Sequence, residues 1–414
     1  MGGCSGYQCG RSRGRPTLQP RRSLHECTLE LAAAVVKNRR ALLEILVRTA
    51  TRTAAEDEIR RSVRALAGAA WEIERNRPPR TGRLSVFLPS NNVLYSYVLF
   101  GMIPSLYVDR IEMRPSSRTR GTVEAVHELL AEACGFDDAQ GVELVEASQK
   151  QFVASCQDSD AVVFTGRFEN GLDIMRSVDQ QACFLFFGSG PNPMVIGPEA
   201  WPEGIQRSLV AARLYNSGQD CLSTDLVFVH RSILHEVVDR LGQRLSEIPI
   251  TDRGQPGAVV SALVYADAAR AASAYISDHA GRVVFGGYAD PRSLLVQPTV
   301  ILHEYGEQLH PPEHFAPIFS LVPYEDVAEI RRWAATPAEL IRGMYATVFG
   351  EQRLTGQRLG TAVVLREVTT FDHEDGNRPF GGYGVQAGSV RGVDGQLSGR
   401  PLLLSAELAA WAQR

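Results

Sequence analysis

RLSVFLPSNNVLYSYVLFGMIPSLYVDRIEMRPSS, residues Arg83–Ser117, decides how this chain folds. Its first eight residues are a β-branched and aromatic run closed by Pro-Ser, the pattern of a short strand. Asn91 to Val108 is apolar over a length that suits a helix, and RIEMRPSS, Arg110–Ser117, returns to strand character. The order is β-α-β. It continues with a helix (TVEAVHELLAEACGF), a strand (GVELVEA), a polar stretch, a strand (DAVVFTG), a helix opened by RFENGLDIMRSV, and the buried strand ACFLFFGSG. Such alternation predicts an α/β fold, a doubly wound parallel sheet with its ligand crevice outside the carboxyl ends of the strands.

Upstream, Thr28–Thr51 and Ala54–Arg77 place apolar residues three and four apart, so two amphipathic helices precede the sheet. Downstream, a second α/β unit begins near Trp201. It holds the helix SLVAARLYNSG, the strand TDLVFVH, the helix SILHEVVDRLGQRLSE, strands near 281–300 and 316–323, and the Gly-rich RPFGGYGVQAG. Residues 1–26 are Arg-rich, lack an apolar core and read as a disordered basic tail rather than a secretory signal.

At 414 residues and 44% hydrophobic, the chain can fill two or three cores. A formal net charge of -4, from 43 basic and 47 acidic residues, gives no reason to expect nucleic acid or a membrane surface as a partner, and no apolar run is long enough to span a bilayer. Seven dispersed cysteines without a CxxC pair read as the reduced thiols of a cytoplasmic protein, with no metal site.

NSGQDCLS, Asn216–Ser223, lies between a helix and an apolar strand, where rigid elements can hold a reactive thiol at a cleft. NxGQxC resembles the nucleophile motif of the aldehyde dehydrogenase superfamily, and the likeness runs from about Leu31 to the C-terminus. PSNN (Pro89–Asn92) resembles that family's PWNF, MRPSS (Met113–Ser117) its KPSE, and FTGRFENG (Phe164–Gly171) its FTGSTxxG. EHFAP (Glu313–Pro317) resembles its ExFGP, and RPFGGYGVQAG (Arg378–Gly388) its PFGGYKxSG.

The resemblance implies an NAD(P)-dependent oxidoreductase in which the Cys221 thiolate attacks a carbonyl carbon while the Asn91 amide and the Cys221 N–H hold the oxyanion. For the cofactor it implies Gly166 and Gly171 at a strand-to-helix turn beneath the pyrophosphate, Glu313 on the nicotinamide ribose and Phe315 beside it. Ser90, Arg167 and Gly188 would complete that crevice. Arg114 replaces the family's Lys near the adenine ribose, and Ser117 replaces an acid that reads the 2′-hydroxyl. With Arg118 and Arg120 close by, NADP is favoured over NAD.

One departure bears on the reaction. Hydrolytic members carry a water-activating Glu in an ELGG segment; here the aligned residues are FFGSG, with Phe186 at that place. A phenyl ring accepts no proton, so the thioester on Cys221 is expected to exchange with a thiol, such as coenzyme A or a carrier protein, or to be reduced to an aldehyde. The alternatives are a hydrolytic enzyme with a substitute base and a catalytically silent scaffold. The family fold implies a Rossmann-like cofactor domain over 27–188, with a short bridging hairpin at about 77–88. It further implies an α/β catalytic domain over 189–385 and a C-terminal segment over 386–414. In that segment RPLLLSAEL, Arg400–Leu408, would be the strand that builds a homodimer or tetramer.

Overall fold

The parallel sheet predicted around Arg83–Ser117 is present in the computed structural model, which describes residues 22–136, 141–307, 309–392 and 394–413. Helices α1 (Leu24–Lys37), α2 (Arg39–Leu46) and α3 (Arg52–Asn76) precede it. Ser23 caps α1 in a capping box with Glu26, so helix begins inside the stretch expected to be tail; residues 1–21 of that tail lie outside the described residues. The first predicted amphipathic helix breaks at Asn38, whose side chain donates to the Ala34 carbonyl (2.9 Å). Along α3, Ala55, Ile59, Ser62, Leu66, Ala69 and Ile73 alternate four and three apart and form the buried face.

Strand β1 (Thr81–Phe87) leads through α4 (Val93–Tyr97) and a π-helical turn, Val98–Met102, to β2 (Val108–Arg114). Then come α5 (Arg120–Cys134), β3 (Gly141–Leu144), α6 (Gln149–Ser155), β4 (Ala161–Thr165), α7 (Phe168–Ser177) and β5 (Cys183–Phe187). The five strands are parallel in the spatial order β3-β2-β1-β4-β5, so the winding reverses between β1 and β4. That reversal opens a crevice at the carboxyl ends of these two strands. Strand alternation sorts the side chains. Val163, Leu185 and Phe187 face the core shared with α1, α3 and α5, whereas Val162, Phe164, Phe184 and Phe186 face a second cluster with Phe152 and Ile174.

A second sheet comprises β6 (Met194–Ile196), β7 (Val227–His230), β8 (Val283–Phe285), β11 (Thr299–Leu302), β12 (Ile318–Tyr324), β13 (Tyr345–Phe349), β14 (Arg358–Leu359) and β15 (Ala362–Arg366). A separate two-stranded ladder, β9 (Ala289–Asp290) with β10 (Leu295–Val296), lies between β8 and β11 in the chain. The main order is β14-β15-β13-β6-β7-β12-β11-β8, with six parallel strands inside two antiparallel edges. Helices α8 (Pro202–Leu214), α9 (Leu234–Ser246) and α10 (Ala266–Asp278) belong to this half. The chain then returns: β16 (Gly388–Arg391) pairs antiparallel with β5, and β17 (Leu397–Gly399) with β16.

Two sequence expectations are corrected here. Residues 77–88 contain no hairpin, because Thr81–Phe87 is the central strand β1, paired in parallel on both sides. Within Arg400–Leu408 there is no strand for a partner subunit: Leu404–Trp411 is a helix whose Leu404 and Leu408 are buried in this chain's own core, and Leu402 bridges to Phe380. The polar stretch after β3 holds α6 (Gln149–Ser155), opened by a Ser148–Gln151 capping box. Among the described residues, no helix is long and apolar enough to cross a membrane.

Candidate active site

The loop that carries Cys221 is strained and tightly held. Asn216, Ser217 and Gly218 all have positive φ (49°, 59° and 79°), a run of left-handed conformations that survives only where the surroundings enforce it. Asn216 Oδ1 accepts the Thr51 N–H (2.9 Å), Ser217 Oγ accepts the Ser261 N–H (2.9 Å), and a Cβ on Gly218 would lie 2.6 Å from the Ala316 carbonyl oxygen. Behind the loop Arg213 is 1% exposed and donates to the carbonyls of Thr224, Gly218 and Ala316 and to the Asp225 carboxylate. Asn192 Nδ2 donates to the Cys221 carbonyl (2.7 Å). Neither Arg213 nor Asn192 belongs to the residues singled out from sequence; only their burial as polar groups reveals them.

Cys221 and Asn91 line one cavity of about 1010 Å³, open mouth included. Asn91 follows β1 and its Nδ2 points to the Gln219 carbonyl at 3.5 Å, so the amide lies against the nucleophile loop. Phe187 and Phe380 supply an apolar wall, and Glu58, Asp220 and Glu374 share the lining. Phe186 is not in it. Because side chains alternate along β5, Phe186 turns to the opposite face, stacked on Phe164 (6.1 Å) and edge-on to Phe168 (5.4 Å). Phe186, which stands where hydrolytic members carry the Glu, therefore leaves the cavity wall to Phe187.

Burial, with the negative charges of Asp220, Glu313 and Glu374, holds the Cys221 thiol well above its ordinary range. The unliganded chain thus keeps a thiol where sequence suggested a ready thiolate. The same low-dielectric setting raises the neighbouring carboxyl groups. Burial pushes Glu313 up to about 7 against the hydrogen bond from Ser189 Oγ (2.6 Å). It pushes Glu58 up to about 7 against the N–H groups of Tyr95 and Leu94, which Glu58 caps at the start of α4. It also raises Asp220 and Glu374, opposed in Asp220 by the Leu222 N–H and Asn92, and in Glu374 by the Tyr95 hydroxyl and Arg61.

The residues expected to meet a cofactor stand at the carboxyl edge of four adjacent parallel strands. Ser90 follows β1, Arg114 ends β2 with Ser117 just beyond, Gly166 and Arg167 follow β4, and Gly188 follows β5. Helix α7 has no side-chain N-cap, which leaves its N-terminal dipole for an anion. Gly166 takes φ 154° at the turn into α7. Glu313 reaches the crevice from the loop before β12, joined to the end of β5 by its bond from Ser189, with Phe315 beside it at φ 44°.

Three placements differ from expectation. A Cβ on Gly171 would come 2.7 Å from the Phe186 ring, so this glycine serves packing rather than a phosphate. Arg120 turns away to Glu146 (3.0 Å). Arg114 donates to the Ala147 carbonyl (3.1 Å), and burial together with the Arg120 charge lowers its pKa.

The family model "Aldehyde dehydrogenase family" matches residues 20–394. The chain is 28% identical over 295 residues to a 2-aminomuconic 6-semialdehyde dehydrogenase of Pseudomonas sp, covering 66% of this chain and 58% of that protein. It is 25% identical over 234 residues to a probable succinate-semialdehyde dehydrogenase [NADP(+)] of Sinorhizobium fredii, covering 54% and 47%. The chain spans about half the length of the curated relatives it matches. Among solved structures, succinic semialdehyde dehydrogenase from Streptococcus pyogenes with NADP+ superposes with a TM-score of 0.78 at 18% identity, over 93% of this chain and 88% of that one. The NAD+ complex of an aldehyde dehydrogenase from Bacillus cereus gives 0.77 at 22%, over 93% and 81%. At these identities the likeness is one of fold.

Proposed function

The chain belongs to the aldehyde dehydrogenase family, and from that premise we propose that it is a nicotinamide-dependent oxidoreductase in which Cys221 carries the substrate as a thiohemiacetal or thioester. The observation that carries this is the shared cavity of Cys221 and Asn91, set beside a crevice with an uncapped helix N-terminus and Glu313. The Cys221 thiol adds to the carbonyl carbon and passes its proton to a neighbouring carboxylate. Asn91 Nδ2 and the Cys221 N–H stabilise the oxygen that becomes negative. The α7 N-terminus, Ser90, Arg114, Arg167, Gly188 and Glu313 would hold a nicotinamide dinucleotide, which when bound would supply hydride acceptance or donation. Ser117, an alcohol where an acid would read a 2′-hydroxyl, and the nearby Arg118 favour NADP over NAD.

For the thioester we favour exchange with a thiol, coenzyme A or a carrier protein, or reduction of an acyl thioester to an aldehyde. β5 ends in Phe186 and Phe187, with no carboxylate on either face. Hydrolysis is the second reading, favoured by Glu58, a buried acid in the same cavity that burial holds near 7. The test is to incubate the chain with NADPH or NADH and a panel of acyl thioesters, following nicotinamide absorbance, with Cys221→Ala as control. A parallel single turnover with aldehyde and NADP measures acid release. Thioester-dependent NADPH oxidation supports the first reading, fast acid release the second. Silence in both arms with Cys221 unlabelled by a thiol reagent would leave only a scaffold.

A further inference from the structure

The loops that close the cofactor crevice are already tied down by two residues at the start of α10, in the other half of the chain. Asp267 lies in the first turn of α10, and its Oδ2 accepts from Arg118 Nη2 at 2.7 Å and from Arg167 Nη2 at 3.3 Å. Arg118 belongs to the loop after β2, and Arg167 is the N-cap residue of α7 after β4. One residue before α10, Tyr265 donates its hydroxyl to the Ser90 carbonyl in the loop after β1, and the Arg118 guanidinium lies over its ring, 5.0 Å from the centroid. Tyr265 and Asp267 therefore strap the loops after three of the four strands that bound the crevice.

What the strap occupies is specific. Arg118 and Arg167 are cations presented at the carboxyl edge of a doubly wound sheet, one beside the end of β2 and one at a helix N-terminus, the two places where such folds meet ribose and phosphate groups. A carboxylate oxygen that takes both guanidinium groups is an internal substitute for a phosphate oxygen. The pairing is partly solvated, with side chains 44%, 36% and 76% exposed for Arg118, Asp267 and Arg167, so a ligand can exchange with it without uncovering a buried charge.

We infer that Asp267 competes with the 2′-phosphate of the dinucleotide for Arg118, so that binding of NADP, but not of NAD, replaces the Asp267–Arg118 bond and loosens the strap between the two sheets. The inference rests on the cofactor assignment proposed above and adds to it a residue that sets the preference. An acid here is a brake on 2′-phosphate affinity: it lowers the free concentration of the arginine that would read the phosphate and places a negative charge beside the bound group. NAD presents a 2′-hydroxyl, which has little to gain from a released guanidinium.

The experiment is direct binding of NADP and NAD by titration calorimetry, at about 50 and 200 mM salt, to the wild type, Asp267→Asn, Arg118→Gln and the double variant. Asp267→Asn should bind NADP roughly 2- to 5-fold more tightly, as release from an exposed ion pair allows, with NAD affinity within 2-fold. The gain should shrink at the higher salt. Arg118→Gln should weaken NADP alone and abolish the gain in the double variant. Equal changes for NADP and NAD, or tighter NADP binding that survives Arg118→Gln, would overturn the inference while leaving the cofactor assignment standing. Binding of neither dinucleotide by any of the four proteins would overturn both.

Discussion

Replacing Arg213 by Met tests whether the Cys221 loop is held by a buried charge. The side chain is 1% exposed and ties the Gly218 carbonyl (3.0 Å), the Thr224 carbonyl (2.9 Å) and the Asp225 carboxylate to the Ala316 carbonyl (2.7 Å), which follows Glu313 and Phe315. Met fills similar space but donates nothing. Asp225, 4% exposed, would keep the His314 N–H (3.2 Å) and the field of the Arg342 charge. Removing one partner of a buried pair costs about 3–5 kcal/mol, a large share of a typical 5–15 kcal/mol of net stability. The loss should depend on pH. Burial already raises the Asp225 pKa while Arg213 opposes that rise; without Arg213 it rises further. A folded-state pKa above the unfolded value gives stability that is full below the unfolded pKa and lost as pH climbs through the folded one. The deficit should therefore be larger at pH 7.5 than at 5.5 in urea unfolding, with Arg213→Lys intermediate. A Met variant within 1 kcal/mol of wild type, or a deficit equal at both pH values, would refute the argument.

Asn91→Ala should lower kcat about 100- to 1000-fold while the cofactor Kd stays unchanged; activity within a few-fold of wild type would remove Asn91 from the oxyanion site. Alkylation of Cys221 in the unliganded chain should accelerate up to at least pH 9, since burial and the charges of Asp220, Glu313 and Glu374 hold the thiol up. Glu313→Gln should speed it at pH 8, and a rate already flat below pH 7 would contradict this. Glu58 contributes stability that is full below 4.5 and lost as pH rises through about 7, on the order of 3 kcal/mol in all. Glu58→Gln should thus gain on wild type between pH 5 and 8 in urea midpoints, and a pH-independent offset would count against the buried acid.

The β-α-β alternation was legible because each strand is a β-branched or aromatic run and the crossover helices α5 and α7 each show an apolar stripe. Where that contrast fades, so does legibility. Helix α6 buries only Phe152, too little for a period, although its Ser148–Gln151 capping box was present in the sequence. β6 is three residues long and is a strand because β7 and β13 flank it. TGRLSVF can be drawn as a hairpin arm or as a central strand; only parallel pairing with β2 and β4 decides, and pairing is not a local property. The Leu-rich run near residue 402 looked like an exposed edge because its partners, Phe380 and the α3 side of the core, are distant in the chain.

Cys221 was legible for another reason: it lies between a helix and an apolar strand inside a motif, NxGQxC, that is contiguous in sequence, whereas the left-handed run Asn216–Gly218 emerged only from the structure. The carboxylates that share its cavity were not. Glu58 comes from α3 and Glu374 from the loop before the Gly-rich segment, and no spacing joins either to Cys221. The family motif directs attention to Phe186, whereas alternation along β5 gives the cavity to Phe187, a consequence that the Phe-Phe pair implies once the strand is recognised. An apolar residue at one strand position therefore does not leave the cavity without carboxylates: Glu58, Glu72, Asp220, Glu374 and Asp375 all line it. Burial raises Glu58, Asp220 and Glu374 together, so it sets the charge around Cys221, and a substitution such as Glu58→Gln changes that charge without touching any family motif.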